Sequence, residues 1–204
     1  MIALTTKYRP NRIAEFAGLK RAKAVMSKLA TAPWESAWIL YGASGTGKTT
    51  MALALAAELQ AQLIHVPAAE CTVDRVRYIR DVTQCAPMFG EWYVVLIDEA
   101  DRMSASAQVA FLSLLDATGF PPKTIFVFTT NAVSGFEDRF RGRCREIEFD
   151  GAVDQTEAAR LLYRVWFAEA GTESKPPAFL SALTEKCGNI RALLNDMELE
   201  LICA

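Results

Sequence analysis

A glycine-rich turn over residues 42–49 constrains the fold of this 204-residue chain more than any other stretch. It reads Gly-Ala-Ser-Gly-Thr-Gly-Lys-Thr, which fits the pattern G-x-x-x-x-G-K-[ST]. A run of strand length, Ala37 to Tyr41, precedes it, and an Ala- and Leu-rich stretch, about Thr49 to Gln60, follows with helical length. Strand, turn and helix in this order predict a loop whose backbone N–H groups surround phosphate oxygens at a helix N-terminus.

Side chains of the turn have expected roles of their own. Lys48 would reach the β- and γ-phosphates of a nucleotide, and the Thr49 hydroxyl would bind Mg²⁺. The other predicted nucleotide contacts of the loop are Gly42, Ser44, Gly45, Thr46, Gly47 and Thr50. A chance match in a glycine-containing turn is the alternative, and the flanking strand and helix argue against it.

Two acids, Asp98 and Glu99, follow the apolar run Trp92 to Ile97. Such a run is typical of a strand buried on both faces of a parallel sheet. Asp98 is expected to hold Mg²⁺ directly or through water, and Glu99 to polarise an attacking water. Acids at a strand end are usually solvated turn residues, but a phosphate-binding loop earlier in the chain favours a hydrolysis pair.

Strand-like runs alternate with helical patterns over the first 150 residues, which predicts an α/β fold with a parallel sheet between crossover helices. Thr72 is expected to cap a helix reaching about Cys85, and a later helix is expected from about Ser106 to Thr118. After Asp150 only helical patterns remain. We therefore expect an α/β domain over residues 1–150 and a small three-helix domain over 151–204, which needs the first domain for stability.

Composition excludes several classes of function. The chain has 22 Lys and Arg against 24 Asp and Glu, so any nucleic-acid contact requires a local basic stripe. Its five cysteines form no CxxC pair, which argues against a zinc site. The single histidine, His65, leaves Ser-His-Asp catalysis poorly supported, and its strand-like surroundings predict a packing residue.

Membrane insertion and secretion are not expected either. No apolar run approaches the roughly 18 residues that cross a bilayer. The first ten residues lack the order of charges and apolar residues that marks a secretory signal. We therefore expect a cytoplasmic protein, or one in the host cytoplasm if a phage encodes it.

With these residues in place, the chain resembles AAA+ ATPases, and among them the clamp-loader group: replication factor C small subunits, the bacterial γ/τ subunits and their phage counterparts. The resemblance begins at Lys7-Tyr8-Arg9-Pro10, includes the glycine turn and continues through Asp98-Glu99-Ala100-Asp101, which has the form D-E-A-D. It implies a P-loop NTPase sheet with a helical lid, ATP and Mg²⁺ as cofactors, and hydrolysis of ATP. It also implies that Tyr8, Arg9 and Pro10 line the adenine pocket.

The resemblance extends to two sensor positions. Asn131 ends the buried run that starts at Thr124 and falls where the family has sensor 1, although Asn is also a common strand terminator. There its amide would orient the water or contact the γ-phosphate. Gly188-Asn189-Ile190-Arg191 resembles the start of the lid helix that carries the sensor 2 arginine. An ordinary surface arginine is the alternative for Arg191.

An arginine finger acting in trans is a further implication of the resemblance. Arg143 falls in the family's S-R-C motif, whose arginine reaches the γ-phosphate bound to the neighbouring subunit. Gly142 replaces the serine of that motif, and an arginine stands at position 139 where clamp loaders usually have proline. Arg139, Arg141 and Arg145 therefore stay open as fingers, as does a solvated basic loop.

Partners also follow from the resemblance: ATP and ADP, a homo- or hetero-oligomer joined through ATPase interfaces, and DNA with a sliding clamp or another replication protein. Arg75, Arg77 and Arg80 are candidate DNA contacts, and a charged solvent face explains them equally well. A salt-dependent affinity would distinguish the two.

Three functions are therefore considered. The first is a clamp-loader-like ATPase that assembles a replication factor on DNA. Clamp-loader subunits carry a helical collar after the lid, and this sequence stops at Ala204. The second is therefore a stand-alone AAA+ module, such as a helicase loader or a remodeller of DNA-bound protein from a phage or mobile element. The third is a non-enzymatic protein whose shape ATP sets, and intact Lys48, Glu99 and Arg143 argue against it.

Overall fold

A five-stranded parallel sheet, in the order β2-β3-β4-β1-β5, lies at the centre of the structure, a computed structural model. The structure describes residues 3–149, 155–171 and 189–203. The strands are β1 (Ser36–Tyr41), β2 (Gln62–Pro67), β3 (Tyr93–Asp98), β4 (Thr124–Thr130) and β5 (Arg145–Glu148). This is the parallel sheet that the alternating strand and helix patterns predicted.

Helices connect and cover the strands. The α-helices of the described residues are α1 (Leu4–Lys7), α2 (Lys20–Thr31), α3 (Lys48–Glu58), α4 (Val73–Thr83), α5 (Ala105–Leu114), α6 (Asp138–Arg141), α7 (Gln155–Ala170) and α8 (Ile190–Cys203). Short 3-10 turns lie at Ile13–Glu15, Ala68–Glu70, Ala100–Arg102 and Val133–Gly135. None of the helices in these ranges is both long and apolar enough to span a membrane.

Alternate residues of each central strand enter two different hydrophobic layers, as the period of a strand requires. One layer packs against α2 and α3 and includes Trp38, Leu40, Val94, Leu96, Ile125 and Val127. The other packs against α4 and α5 and includes Ala37, Ile39, Val95, Ile97, Phe126 and Phe128. Because β3 and β4 are covered on both faces, they are apolar over Tyr93 to Ile97 and Ile125 to Phe128, with polar residues only at the strand ends.

A third hydrophobic cluster joins α7 and α8 to the start of the chain. Leu4 of α1 is buried against residues of both helices. The other buried members are Leu162, Val165, Trp166, Leu193, Leu194 and Met197. The predicted middle helix of this region, around Phe179 and Leu183, lies outside the described residues. The boundary at residue 150 stays a prediction, and α1 packs with the helices that follow it.

Two local predictions differ from the structure. Helix α5 ends at Leu114 rather than Thr118, because Asp116 accepts hydrogen bonds from the N–H groups of Ala117 and Gly119 in a turn. His65 is exposed rather than packed, because β2 is an edge strand with alternating burial. The sequence did not reveal which strand would stand at the edge.

Candidate nucleotide-binding site

The glycine-rich turn joins β1 to α3 in a conformation that requires glycine. Gly42 has φ 142°, and a Cβ there would lie 2.2 Å from the carbonyl oxygen of Phe149. Gly45 has φ 82°, and a Cβ there would lie 2.2 Å from Oδ1 of Asn189. Helix α3 begins at Lys48, so its first N–H groups, which have no partner within the helix, face the turn. The turn is thus built to receive an anion at a helix N-terminus.

Lys48 is buried between the turn and the end of β4. Its Nζ donates to the carbonyl oxygens of Gly42 (2.7 Å) and Ala43 (2.8 Å), and to Oδ1 of Asn131 (3.3 Å). Burial lowers the pKa of Lys48, while the nearby carboxylate of Asp98 raises it. A buried ammonium favours anions in its surroundings, and phosphate oxygens would supply them.

Asp98 accepts hydrogen bonds from two threonines at the carboxyl edge of the sheet. The Thr49 hydroxyl donates to its Oδ1 at 2.7 Å, and the Thr129 hydroxyl donates to the same oxygen. His65 Nε2 lies 3.8 Å from Oδ2 of Asp98. Thr49 and Asp98, the two predicted magnesium ligands, are therefore neighbours, and oxygen donors of this kind suit Mg²⁺, which keeps several waters of its own.

Glu99 adopts a left-handed backbone conformation, with φ 55°. Its N–H donates to the Thr129 hydroxyl at 3.1 Å, which helps hold this uncommon geometry. Its carboxylate is 61% exposed and pairs with Arg102 at 3.2 Å. Non-glycine residues in this conformation cluster at functional sites. Because the Glu99 carboxylate is mostly exposed, it can contact water above the strand end while it pairs with Arg102.

Most of the predicted site residues line two adjoining clefts, and Gly42 and Arg143 line neither. The smaller, of about 210 Å³, has Lys48, Asp98, Glu99 and Asn131 in its wall together with Arg191. Ser44, Gly45, Gly47, Thr49 and Thr50 complete its loop side. Since these residues come from the turn, two strand ends and α8, the fold gathers groups that are far apart in the sequence. The arrangement can bind a polyphosphate, hold a metal ion and present a carboxylate to water.

The larger cleft, of about 600 Å³, lies between the N-terminal segment, the turn and helices α7 and α8. Tyr8, Arg9 and Pro10, the predicted adenine contacts, are in its wall, as is Thr46. It shares Gly45, Gly47, Thr49, Thr50, Asp98 and Arg191 with the smaller cleft. A base and ribose in the larger cleft would therefore be continuous with phosphates in the smaller one.

Glu169 of α7 holds the N-terminal segment to the helical region, a contact that no sequence pattern indicated. Its Oε1 accepts from the hydroxyl of Tyr8 and lies 2.7 Å from Nζ of Lys7. These two hydrogen bonds, first that of Lys7 and then that of Tyr8, lower the pKa of Glu169. Burial, with help from the Glu169 carboxylate, raises the pKa of Tyr8 to about 12. Tyr8 therefore stays protonated and fixed at the cleft wall.

Arg143 lies outside both clefts of its own chain. One guanidinium nitrogen donates to the carbonyl oxygen of Arg139 at 2.9 Å, and the other lies 3.4 Å from Oδ2 of Asp116. Arg139 is exposed and pairs with Glu137 at 2.6 Å. Neither arginine lines the phosphate cleft of the chain that carries it.

The other two finger candidates are engaged within the chain. Arg141 makes two hydrogen bonds to the Glu146 carboxylate, at 2.7 and 3.2 Å, and this partner raises the pKa of Arg141. Arg145 stacks on the Trp38 ring, with its guanidinium carbon 5.6 Å from the ring centroid. Arg143 also has two contacts within the chain, so these interactions alone do not decide which arginine is the finger.

Helix α4 presents the candidate DNA-binding arginines. It is capped as predicted, because the Thr72 hydroxyl accepts from the N–H of Arg75 at 3.2 Å. Each arginine contacts a neighbour on the same helix: Arg75 stacks on Tyr78 at 5.0 Å, Arg77 pairs with Asp74 at 2.9 Å and Arg80 with Asp81 at 3.1 Å. The two ion pairs reduce the net positive charge of this helix face.

Comparison with known proteins points to one family. The sequence pattern of the "ATPase family associated with various cellular activities (AAA)" matches residues 38–151. Replication factor C small subunit 2 of Pyrobaculum aerophilum is 30% identical over an alignment of 165 positions, which covers 77% of this chain and 51% of that protein. Replication factor C large subunit of Methanothrix thermoacetophila is 29% identical over an alignment of 214 positions, which covers 97% of this chain and 44% of that protein. The chain thus spans about half the length of these curated relatives.

Solved structures of a second protein share the fold. A variant of RuvB from Thermotoga maritima superposes with a TM-score of 0.78 at 18% identity, over 97% of this chain and 68% of that one. The T. maritima RuvB described as a Holliday junction branch migration motor has a TM-score of 0.67 at 20% identity, over 94% of this chain and 72% of that one. At such identity the likeness concerns the fold alone.

Proposed function

Because the chain belongs to the AAA ATPase family, we propose that it is a clamp-loader-like ATPase that hydrolyses ATP at subunit interfaces to assemble a replication factor on DNA. The observation that most supports this function is the convergence of Lys48, Asp98, Glu99 and Asn131 on one cleft. The similarity to replication factor C subunits directs the choice among AAA ATPases.

Five side chains of the smaller cleft have proposed parts in hydrolysis. Lys48 would balance charge on the β- and γ-phosphates, and Asn131, its neighbour at 3.3 Å, would hold the attacking water or a γ-phosphate oxygen. The exposed carboxylate of Glu99 would accept a proton from that water as it attacks. Thr49 and Asp98 would hold Mg²⁺, which neutralises phosphate charge when it is bound.

Completion of the site by a neighbouring subunit is part of the proposal. Since Arg143 lies outside both clefts of its own chain, we infer that it acts on ATP bound to an adjacent chain. Its contacts with Arg139 and Asp116 hold it at the surface. An arginine supplied in this way can accelerate hydrolysis by about 10³–10⁵. The isolated chain should therefore be a slow enzyme.

DNA and a sliding clamp are the proposed partners. Duplex or primed DNA would contact α4, where Arg75 presents its charge beside the exposed Tyr78 ring. A nucleic acid backbone would compete with Asp74 and Asp81 for Arg77 and Arg80, and exposed ion pairs of this kind are weak enough to be exchanged.

The experiment is the ATPase rate per chain against protein concentration, with and without primed DNA and a sliding clamp. Sedimentation with a non-hydrolysable ATP analogue is run in parallel. We expect the rate per chain to rise as oligomers form, and to rise further with both partners present. Stimulation by a replicative helicase but not by clamp and primed DNA would favour the helicase-loader alternative. A concentration-independent rate from a monomer would contradict hydrolysis at interfaces.

A further inference from the structure

Asn189 forms the N-cap of helix α8. Its Oδ1 accepts a hydrogen bond from the N–H of Ala192 at 3.1 Å, and its carbonyl oxygen accepts from the N–H of Leu193 at 3.1 Å. The bond from Leu193 is the first backbone bond of the helix, whereas the N–H of Ala192 has no partner within the helix and is satisfied by the Asn189 side chain. The conformation of that first turn therefore depends on the Asn189 side chain.

The same amide packs on the phosphate-binding turn. A Cβ placed on Gly45 would lie 2.2 Å from Oδ1 of Asn189 and 2.8 Å from its Cγ. The space that any other residue at position 45 would occupy is thus filled by the Asn189 amide. Asn189 therefore contacts both the phosphate-binding turn and the first turn of α8.

Arg191 follows two residues later in the first turn of α8 and lines both clefts. Burial lowers the pKa of Lys48, and the positive charge of Arg191 acts in the same direction. Arg191 is therefore close enough to interact with the charge in the phosphate cleft. Any fraying of the first turn of α8 would move Arg191 away from that cleft.

We propose that Asn189 is a positioning residue of the nucleotide site: it caps α8 against Gly45 and so holds Arg191 over the phosphate cleft. Asn189 itself contacts the loop backbone and the helix, and its effect on nucleotide reaches the phosphates through Arg191. This role rests on the proposed function, because it requires that the clefts bind nucleotide.

The test is a double-mutant cycle read out by the binding of a fluorescent non-hydrolysable ATP analogue, and of the matching ADP analogue, to the full chain. Asn189→Ala should weaken binding of the ATP analogue by about fivefold, the usual effect of losing a cap, with less effect on ADP. Arg191→Ala should weaken it at least as much. In the Arg191→Ala background, Asn189→Ala should add little, because the two changes remove one interaction.

Two further variants separate positioning from stability. Asn189→Ser keeps a cap oxygen and should restore most of the affinity. Ser104→Ala removes the matching cap of α5, where the Ser104 hydroxyl accepts from Ala107 N–H at 3.2 Å, and should leave analogue binding unchanged. The melting temperature of Ser104→Ala measures how much stability is lost when a helix cap is removed away from the clefts.

The outcomes separate the inference from the proposed function. If the wild-type chain binds neither analogue, the proposed function is wrong and the positioning role falls with it. If the wild-type chain binds but Asn189→Ala binds equally well, the positioning role alone is wrong. Additive losses from Asn189→Ala and Arg191→Ala, without rescue by serine, would also overturn it, because they indicate general destabilisation of α8.

Discussion

Glu99 combines a strained backbone with an exposed carboxylate, and the two features together favour a chemical role over a structural one. Glu99→Gln keeps the size of the side chain and leaves the bond from the Glu99 N–H to Thr129 in place. We expect the turnover number to fall by about 10²–10⁴, because amide nitrogen and oxygen are poor proton acceptors. Affinity for the ATP analogue should stay within about twofold, since neither form of the side chain binds the phosphates directly.

Steady-state kinetics and analogue titration measure these two quantities separately. Glu91→Gln is the matched control, because Glu91 is an exposed acid that pairs only with Lys123, at 3.5 Å, in the part of the chain the structure describes. It should turn over like the wild type. A Glu99→Gln protein with wild-type turnover would show that another group activates the water.

For single residues, the sequence predicts those that belong to a short local motif. Lys48 and Thr49 share one short motif, and Asp98 ends a strand that is recognisable by itself. The packing of the Asn189 amide on Gly45 and the hydrogen bond of Tyr8 to Glu169 join residues more than a hundred positions apart. Single residues of this kind carry no local pattern, so only the folded chain reveals them.

The phosphate-binding turn is an element whose shape depends on Gly42. Alanine there would place its Cβ 2.2 Å from the carbonyl oxygen of Phe149, and backbone on both sides of this contact is held by the sheet. We expect Gly42→Ala to destabilise the fold by about 2 kcal/mol or more, which lowers the melting temperature by about 4–8 °C in a chain of this size. Thermal unfolding followed by circular dichroism measures the shift.

Gly142→Ala is the control for that shift. Gly142 has an ordinary helical conformation, and a Cβ there would meet its nearest atom, the carbonyl oxygen of Asp138, at 3.4 Å. Its melting temperature should stay within about 2 °C of the wild type. Equal stability of the Gly42 and Gly142 variants would mean that the turn can move away from Phe149 at no cost.

The link between α1 and α7 should make stability depend on pH. Hydrogen bonds from Lys7 and Tyr8 lower the pKa of Glu169, so this carboxylate binds protons more weakly in the folded chain than in the unfolded one. The link therefore contributes stability above the usual glutamate pKa of about 4.3, and the contribution is lost as the pH falls through the lower folded value. Glu169→Gln should melt lower than the wild type at pH 7, and the difference should shrink towards pH 3.

Melting temperatures at pH 7, 5, 4 and 3 follow this difference directly. Glu200→Gln, an exposed residue of α8, provides the control and should track the wild type throughout. A Glu169→Gln deficit that persists unchanged at pH 3 would show that lost packing, not the charge, causes the effect.

The helices and strands differ in how well the sequence predicts their bounds and burial. Strands β3 and β4 were predictable because both faces are covered and the residues between the strand ends are apolar. The exposure of His65 on β2 was not, because burial there depends on which strand stands at the edge of the sheet. Helix α5 stops early because the turn at Asp116 competes with it, and that turn has no proline to mark it.

For the whole molecule, the nucleotide clefts lie where separate hydrophobic clusters meet. The sheet layers support the turn and the strand ends, and the third cluster supports α1, α7 and α8 on the opposite wall. No periodicity in the sequence predicts the order of the strands or the packing of α1 on α8. The resemblance to AAA+ ATPases implied a P-loop NTPase sheet with a helical lid but neither of these details, and the proposed catalytic residues come from several elements brought to one place.

If Arg143 of a neighbouring chain completes the ATPase site, assemblies that mix two inactive variants should regain activity. Lys48→Ala chains should bind ATP poorly but keep Arg143, while Arg143→Ala chains should bind ATP but lack the finger. Each variant alone should hydrolyse ATP slowly, with the loss for Arg143→Ala within about 10³–10⁵. In a ring mixed equally and at random, about a quarter of the interfaces pair an intact site with an intact finger, so the mixture should recover up to that fraction of the wild-type rate.

Arg139→Ala is the comparison variant in this mixing experiment, because Arg139 is another finger candidate, is exposed and pairs with Glu137 at 2.6 Å. If Arg143 is the finger, Arg139→Ala alone should keep the wild-type rate, whereas a loss that mixing with Lys48→Ala restores would assign the finger to Arg139. Recovery requires that the two variants assemble together, so diluting the mixture below the assembly concentration should abolish the recovered activity. Activity from a site completed within one chain would not be lost on dilution. Full activity of Arg143→Ala alone, together with no gain on mixing, would mean that each chain completes its own site and that assembly serves some other purpose than catalysis.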